Sequence, residues 1–297
     1  MIKFILYFLS LIPFCLIAQE KIVFSHKAGF YNEPFFLKIT CDKNTSISYI
    51  TSDSNKSHPF IDSLKIDRNI TILFSLHKGE SIIQISPKSY FINFTTDFNV
   101  VSLTLSKSDL FDSIRGIYVD GINWEFDSLY KIKKNANYSK NWERPVYLEM
   151  FNPHGHIILD QNAGIKIFGG LTRYYPEKSL RLIARKSYGK SRFTGNIFGL
   201  GVKDYKHFVL RHSGNDYKQT RFKDVLSTEL GSEAGLDVQK YAPAHLFVNS
   251  EYWGVYNIRE KINKFFINNN HQTGVNDINI IKGYNYLEEG NLNSFSS

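Results

Sequence analysis

The chain has 297 residues, of which 42% are hydrophobic and 22% charged, and its formal net charge is +8. These fractions are those of an ordinary soluble globular protein, long enough for two domains. Lys and Arg are spread along the chain with no dense cluster on any one helix or loop. This argues against nucleic-acid binding, while the basic excess favours anionic partners. Aromatic residues are plentiful, with 18 Tyr and 24 Phe, which suits a chain dominated by strands.

The first stretch reads as a targeting segment. Met1-Ile2-Lys3 gives a positive start, Phe4 to Ile17 is an almost unbroken apolar run, and Ala18-Gln19 supplies a small-residue cleavage point. The run is short for a full membrane span. A signal peptide over 1–18 is therefore expected, with export to a secreted or cell-surface location and no membrane span after cleavage. Ile12-Pro13-Phe14 before Cys15 makes a poor lipoprotein box, so no lipid anchor is expected. Only Cys41 then remains, which leaves no intrachain disulfide and no cysteine-built zinc site. None of the nine His falls in a helical HExxH pair, and His154 and His156 flank a turn, as exposed loop residues do.

Residues 19–99 repeat short alternating runs, FFLKIT, ISYIT, ITILFSL, IIQIS and YFINFTT, separated by turn-rich pieces. That pattern predicts a small immunoglobulin-like β-sandwich. Tyr31 and Tyr49 read first as core or strand-face residues, with sugar contact as the alternative.

From Val100 the composition changes. VVSLTL reads as a buried strand, Ser106 or Ser108 as a helix cap, and RPVYLEMF as a strand that turns through FNPHG. A protease-sensitive link is expected at residues 96–108.

The stretch from Ala163 to Ile267 gives strand, glycine turn, basic strand, helix and hairpin. Gly169-Gly170 breaks the strand Ile165–Phe168. Such a pair brings backbone close to phosphate, or simply makes a turn. Arg173, Lys178 and Arg181 put three cations within nine residues, read either as phosphate ligands or as solvated strand-face charge. Between Lys178 and Arg185, Leu180 and Leu182 share one face, Arg181 and Arg185 the other. The helix from Arg221 to Ala234 sets Phe222, Val225, Leu226 and Leu230 on one stripe. Glu229 sits at its edge, either pairing with a strand cation or solvated. Asp216 and Thr220 are candidate caps. This order of loop, cation-bearing strand, carboxylate-bearing helix and hairpin is the order of the nucleotide-holding lobe of a protein kinase.

The segments LFDSIRGIYVDG, NWERPVYLEMFNPHG, AGIKIFGG, PEKSLRLIARKSYG, LRHSGNDYKQTRFKD and NSEYWGVYNIRE together resemble the spore-coat-protein-H (CotH) kinase-like family in its secreted, multidomain form. SHKAGFYNEPFFLKI and ISYITSDSNKSHP resemble the sandwich appended to chitobiase and hexosaminidase enzymes. The resemblance implies a mainly β chain: a sandwich over 19–99, then an α+β kinase-like N-lobe over 100–297. It implies an atypical protein kinase transferring phosphate from ATP, with Mg²⁺ or Mn²⁺, to Ser or Thr of a surface or secreted protein. Nucleotide binding then falls to Gly169, Gly170, Arg173, Lys178, Arg181, Glu229 and Glu260, the last at the cofactor pocket. In that family the catalytic base and metal ligands lie further along the chain, so they are expected beyond Ser297, and no residue here is given those roles. The alternative is a non-catalytic surface or structural binding module.

Overall fold

The computed structural model describes residues 22–54, 56–283 and 286–291. The expected signal segment lies outside them.

The N-terminal unit is all-β. Its main sheet has six strands: Gly29–Tyr31, Lys88–Ile92, Ile70–Lys78, Ser46–Thr51 and His58–Phe60 in spatial order, with Ser81–Gln84 added to Ile70–Lys78. The long strand alternates, so Ile70, Ile72, Phe74 and Leu76 turn inward together. They meet Leu37 and Ile66 of the small facing pair Phe35–Leu37 and Leu64–Ile66. Tyr31 donates its hydroxyl to the Lys27 carbonyl at 2.6 Å and packs on Phe35. Tyr49 lies against His58, Phe60 and Phe74.

The second unit is a closed barrel of seven strands, numbered here along the chain: β1 Asn99–Thr104, β2 Arg144–Phe151, β3 Ile157–Phe168, β4 Ser179–Ile183, β5 His207–Arg211, β6 Tyr241–Val248 and β7 Glu251–Glu260. Around the barrel they run β1-β2-β3-β4-β5-β7-β6. All pairings are antiparallel except β1 with β6, the parallel pair that closes the ring. Period-2 alternation fills the interior with Leu103, Leu148, Ile165, Leu180, Leu210, Leu246 and Ile258, each fully buried. A one-residue slip of β4 would drive Arg181 into that core, so the register is tightly specified. β3 stops at Phe168, where Gly169 takes a φ of 114°. The β6–β7 hairpin turns through Asn249 and Ser250, both with positive φ, a geometry that matches the twist of its strands.

Among the described residues three α-helices decorate the barrel: α1 Lys107–Phe111, α2 Lys223–Glu233 and α3 Lys264–His271. Ser106 caps α1, accepting from the Ser108 N–H at 3.3 Å, as its position predicts. Asn263 caps α3 through two backbone N–H groups. The stripe expected on α2 is not buried as a unit. Val225 alone packs inward, while Phe222, Leu226 and Leu230 are exposed. The polar partners of α2, described below, set its rotation instead.

Nor are residues 96–108 a free link. β1 is a barrel strand with Val100 to Leu103 sealed from solvent, so within the expected link the exposed positions lie on either side of it, at Asp97–Phe98 and Ser106–Ser108. The two units share a small core in which Phe91 meets Phe151 and Phe247 edge to face. The β2–β3 turn also presses Gly155 onto Phe30. A Cβ on Gly155 would come within 2.8 Å of that ring, and one on Gly29 within 2.7 Å of the Gly155 carbonyl oxygen.

Candidate functional site

Alternation along β4 separates the residues expected to bind nucleotide. Lys178 shares parity with Leu180 and Leu182 and sits at one mouth of the barrel, only 5% exposed. Its Nζ donates to the Tyr175 carbonyl at 2.6 Å and lies 4.3 Å from the Tyr138 ring centre and 5.3 Å from that of Tyr118. Burial pushes its pKa down to about 8, partly countered by Asp120. Glu260 is level with Phe208 and Leu182 across the sheet, at the other end of the barrel. It is roughly four residues, or about 13 Å of strand, from Lys178. The Glu260 carboxylate accepts the Lys240 N–H at 2.9 Å, and burial raises its pKa.

The glycine turn is held by its own loop. Arg173 donates from Nε to the Gly169 carbonyl at 2.7 Å and from Nη1 to the Ser139 carbonyl at 2.8 Å. Gly170 opens the short 3₁₀ turn that carries Arg173. Glu229 is exposed and has no hydrogen bond or ion pair among the described residues. The cation partner expected for it belongs instead to Asp224, one turn earlier. Asp224 Oδ2 accepts from Arg211 Nε and lies 3.4 Å from Arg259 Nη1. Arg259 Nη2 donates to Thr228 Oγ1 at 2.7 Å. Positions 224 and 228 are therefore the face of α2 turned to the barrel. Asp216 caps the helix: its Oδ2 accepts from Thr220 Oγ1 at 2.6 Å and from the N–H groups of Phe222 and Lys223 at 2.8 and 3.1 Å. These bonds, Thr220 Oγ1 foremost, hold its carboxyl well below the usual carboxylate range. Beside this seam is a cavity of about 360 Å³ lined by Arg211, Asn215, Asp216, Lys223 and Asp224.

Arg181 points outward from β4, into a crowd of like charge. Lys166 of β3 is directly opposite it, and Val209 of β5 separates it from Arg259 of β7. Arg181 makes no hydrogen bond or ion pair among the described residues, and its Nε is sealed from solvent with no partner. Burial lowers its pKa, as does Arg185, while Glu143, Glu289 and Glu288 act the other way. Glu143 is already held by both nitrogens of a fork from Arg185, at 2.8 and 2.9 Å. Burial, followed by Arg181, also lowers the pKa of Lys261, just past β7. His207 is kept neutral by burial and by Arg181, Lys261 and Lys206 together. Two like charges directly opposite on paired strands destabilise a sheet. A partly buried guanidinium with no partner adds a desolvation cost. An anion between them would remove both costs.

The structure thus keeps Lys178 near the glycine turn and Arg173, at the end of the β3–β4 pair where Phe168 faces Ser179, and sets Glu260 at the other end of the barrel. It gathers Arg181 with residues the sequence reading did not single out: Lys166, Lys261, Arg211, Arg259 and Asp224. Arg211 shares the outward parity of Val209 in HFVLR, a signal open to a period-2 count. Asp224 carries no such signal, because the apolar pattern of α2 faces elsewhere. Among the described residues no group of three or more His, Cys, Asp or Glu is placed to hold a metal ion. No described helix is long and apolar enough to cross a membrane.

A barrel that collects cations on one face, Arg181 among them without a partner, beside a helix carboxylate that braces two arginines, is an arrangement suited to holding an anion. Residues 165–296 match the family model described as CotH kinase protein. No curated protein matches the chain.

Proposed function

We propose that this chain carries the nucleotide-holding part of an exported CotH-like protein kinase, one that transfers phosphate from ATP to Ser or Thr of a surface or secreted protein. The observation that supports it most is Arg181, a sheltered guanidinium with no partner facing Lys166. Phosphates are the anions a planar guanidinium and a nearby ammonium hold best, the first in bidentate fashion and the second as a point charge. The brace of Asp224 on Arg211 and Arg259 supports this reading, since a helix carboxylate that fixes strand cations is a device kinase lobes use to position phosphates. When bound, Mg²⁺ or Mn²⁺ would neutralise charge on the phosphates. The described residues supply no ligand set for it. Residues 19–99 would serve as a packing partner for this lobe, and residues 1–18 as the export signal.

One observation favours a non-catalytic binding module instead. Lys178, the lysine of the K-S-x-R segment, is closed into a tyrosine cage and does not reach Arg181's face of the strand. The test is ATP binding and autophosphorylation by the full-length protein with Mg²⁺ or Mn²⁺. Arg181→Ala should weaken ATP at least tenfold, and Arg68→Ala on the remote sandwich should leave it unchanged. ATP binding without any phosphoryl transfer would select the binding module. Equal affinity in all three proteins would reject the site.

A further inference from the structure

We propose that Lys166, Arg181 and Lys261 form one site for a phosphate chain of several negative charges, and that Glu288 and Glu289 of the C-terminal hairpin occupy it as an internal competitor. This rests on the nucleotide reading above and goes further in naming the site's other cations and its regulator.

The three cations come from different elements. Lys166 and Arg181 are cross-strand partners on β3 and β4. Lys261 follows β7, and its side chain is only 9% exposed. Burial foremost and Arg181 next lower the pKa of both lysines, so each lysine feels the Arg181 charge. Lys166 Nζ has the side-chain oxygen of Asn141, a neutral acceptor, as its hydrogen-bond partner. Nothing in that trio is neutralised from within. Three cations held in one partly sheltered place repel each other, and sheltering from water and salt strengthens the repulsion. A fold keeps such a group where a counter-anion visits it.

The resident counter-charge is thin. Of the three carboxylates whose charge reaches Arg181, Glu143 is already engaged by Arg185. The other two are Glu288 and Glu289. They lie on the second strand of a hairpin made of β8 Ile280–Lys282 and β9 Tyr286–Glu289. Glu288 Oε1 lies 3.5 Å from Lys261 Nζ and Glu289 Oε2 lies 4.0 Å from Lys264 Nζ. Both distances are long beside the 2.8 and 2.9 Å of the Arg185–Glu143 fork. The hairpin pairs with no other described strand. Two loosely placed carboxylates on a small hairpin neutralise the cations without giving Arg181 a hydrogen bond. They are the kind of contact that a ligand with three or more charges and geometrically matched oxygens displaces.

The probes are inorganic tripolyphosphate and ATP, titrated calorimetrically into the full-length protein at low and moderate salt. Circular dichroism on each variant confirms the fold, and Arg181→Lys serves as the conservative change. Lys261→Ala and Arg181→Ala should each weaken tripolyphosphate about tenfold, with Arg181→Lys intermediate. The double change Glu288→Gln, Glu289→Gln should tighten it about tenfold, and the gain should shrink as salt rises. If ATP binds but neither Lys261→Ala nor the double change moves it more than twofold, this inference fails while the nucleotide reading stands. If tripolyphosphate follows the pattern and ATP does not bind, the anion site stands and the nucleotide reading fails. If neither probe binds any variant, both fail.

Discussion

Two outward-facing residues of one barrel, Glu149 and Arg181, both keep an ionisable group away from water, and they resolve the problem in opposite ways. Glu149 of β2 faces the sandwich and is 1% exposed. Ser89 serves it twice, donating from Oγ to Oε2 at 2.5 Å and from the backbone N–H to Oε1 at 3.3 Å. Ser89 is in turn hydrogen-bonded to Ser102 and Thr71 at 2.9 Å each, and Ser250 extends the chain to Ser52. Its cross-strand neighbour is the acidic Asp160. Burial pushes the Glu149 pKa up to about 7, against the bonds from Ser89, and a protonated carboxyl eases the like-charge pairing. Arg181 cannot shed its proton and has no such set of partners. A buried group whose every bond is met is part of the architecture. One that is left short points to something outside the chain.

The junction around Glu149 is where the largest effect is expected. Phe91→Ala opens a cavity where three aromatic rings meet across the units. It should cost about 3–5 kcal/mol of stability. Limited proteolysis should then cut faster in the exposed stretch between Asn93 and Phe98. An unchanged cutting rate would mean that the sandwich and barrel do not depend on this contact.

The pH dependence comes next. The Glu149 carboxyl sits at about 7 in the folded chain against an ordinary 4.5. Between those values the unfolded chain is ionised while the folded one keeps its proton, so folding takes up a proton and stability falls as pH rises. The contribution is complete below about pH 4.5 and lost above about pH 7, on the order of 3 kcal/mol across the window. Glu149→Gln should flatten that part of the denaturation profile. A profile as steep as wild type would assign the pH dependence to another group.

The smallest effect should be at Glu229. It is exposed and unpaired among the described residues, so Glu229→Ala should change stability by no more than about 0.5 kcal/mol and leave ATP affinity as it was. Asp224→Ala, by contrast, strips Arg211 and Arg259 of their shared carboxylate and should weaken both stability and binding. Equal effects of the two changes would return the bracing role to Glu229.

Much of the barrel was legible because strand parity is strict. The alternation of Lys178 to Arg185 already puts Leu180 and Leu182 inside and Arg181 outside, and it also puts Lys178 inside, since it is three residues from Arg181. The glycine stop after Phe168 and the cap at Ser106 are local chemistry, readable from a few residues. Closure of the ring was not, because β1 and β6 are far apart in sequence and parallel pairing leaves no turn signature. The rotation of α2 was hidden for another reason. Its apolar line through Phe222, Leu226 and Leu230 predicts one buried face, but the guanidiniums of Arg211 and Arg259 need a partner, so the face bearing Asp224, Val225 and Thr228 turns inward. The gathering of Lys166, Arg181 and Lys261 depends on three separate segments and shows only in the assembled sheet.

The most direct test of the contrast between the two faces is Arg181→Met, which keeps much of the side chain's length and removes the charge. A guanidinium kept for a ligand is a burden without one. The variant should therefore be more stable than wild type by about 1 kcal/mol in ligand-free denaturation, and it should lose at least tenfold in ATP affinity. A variant that is less stable than wild type and still binds ATP normally would show that Arg181 is part of the architecture, as Glu149 is, and would contradict the account.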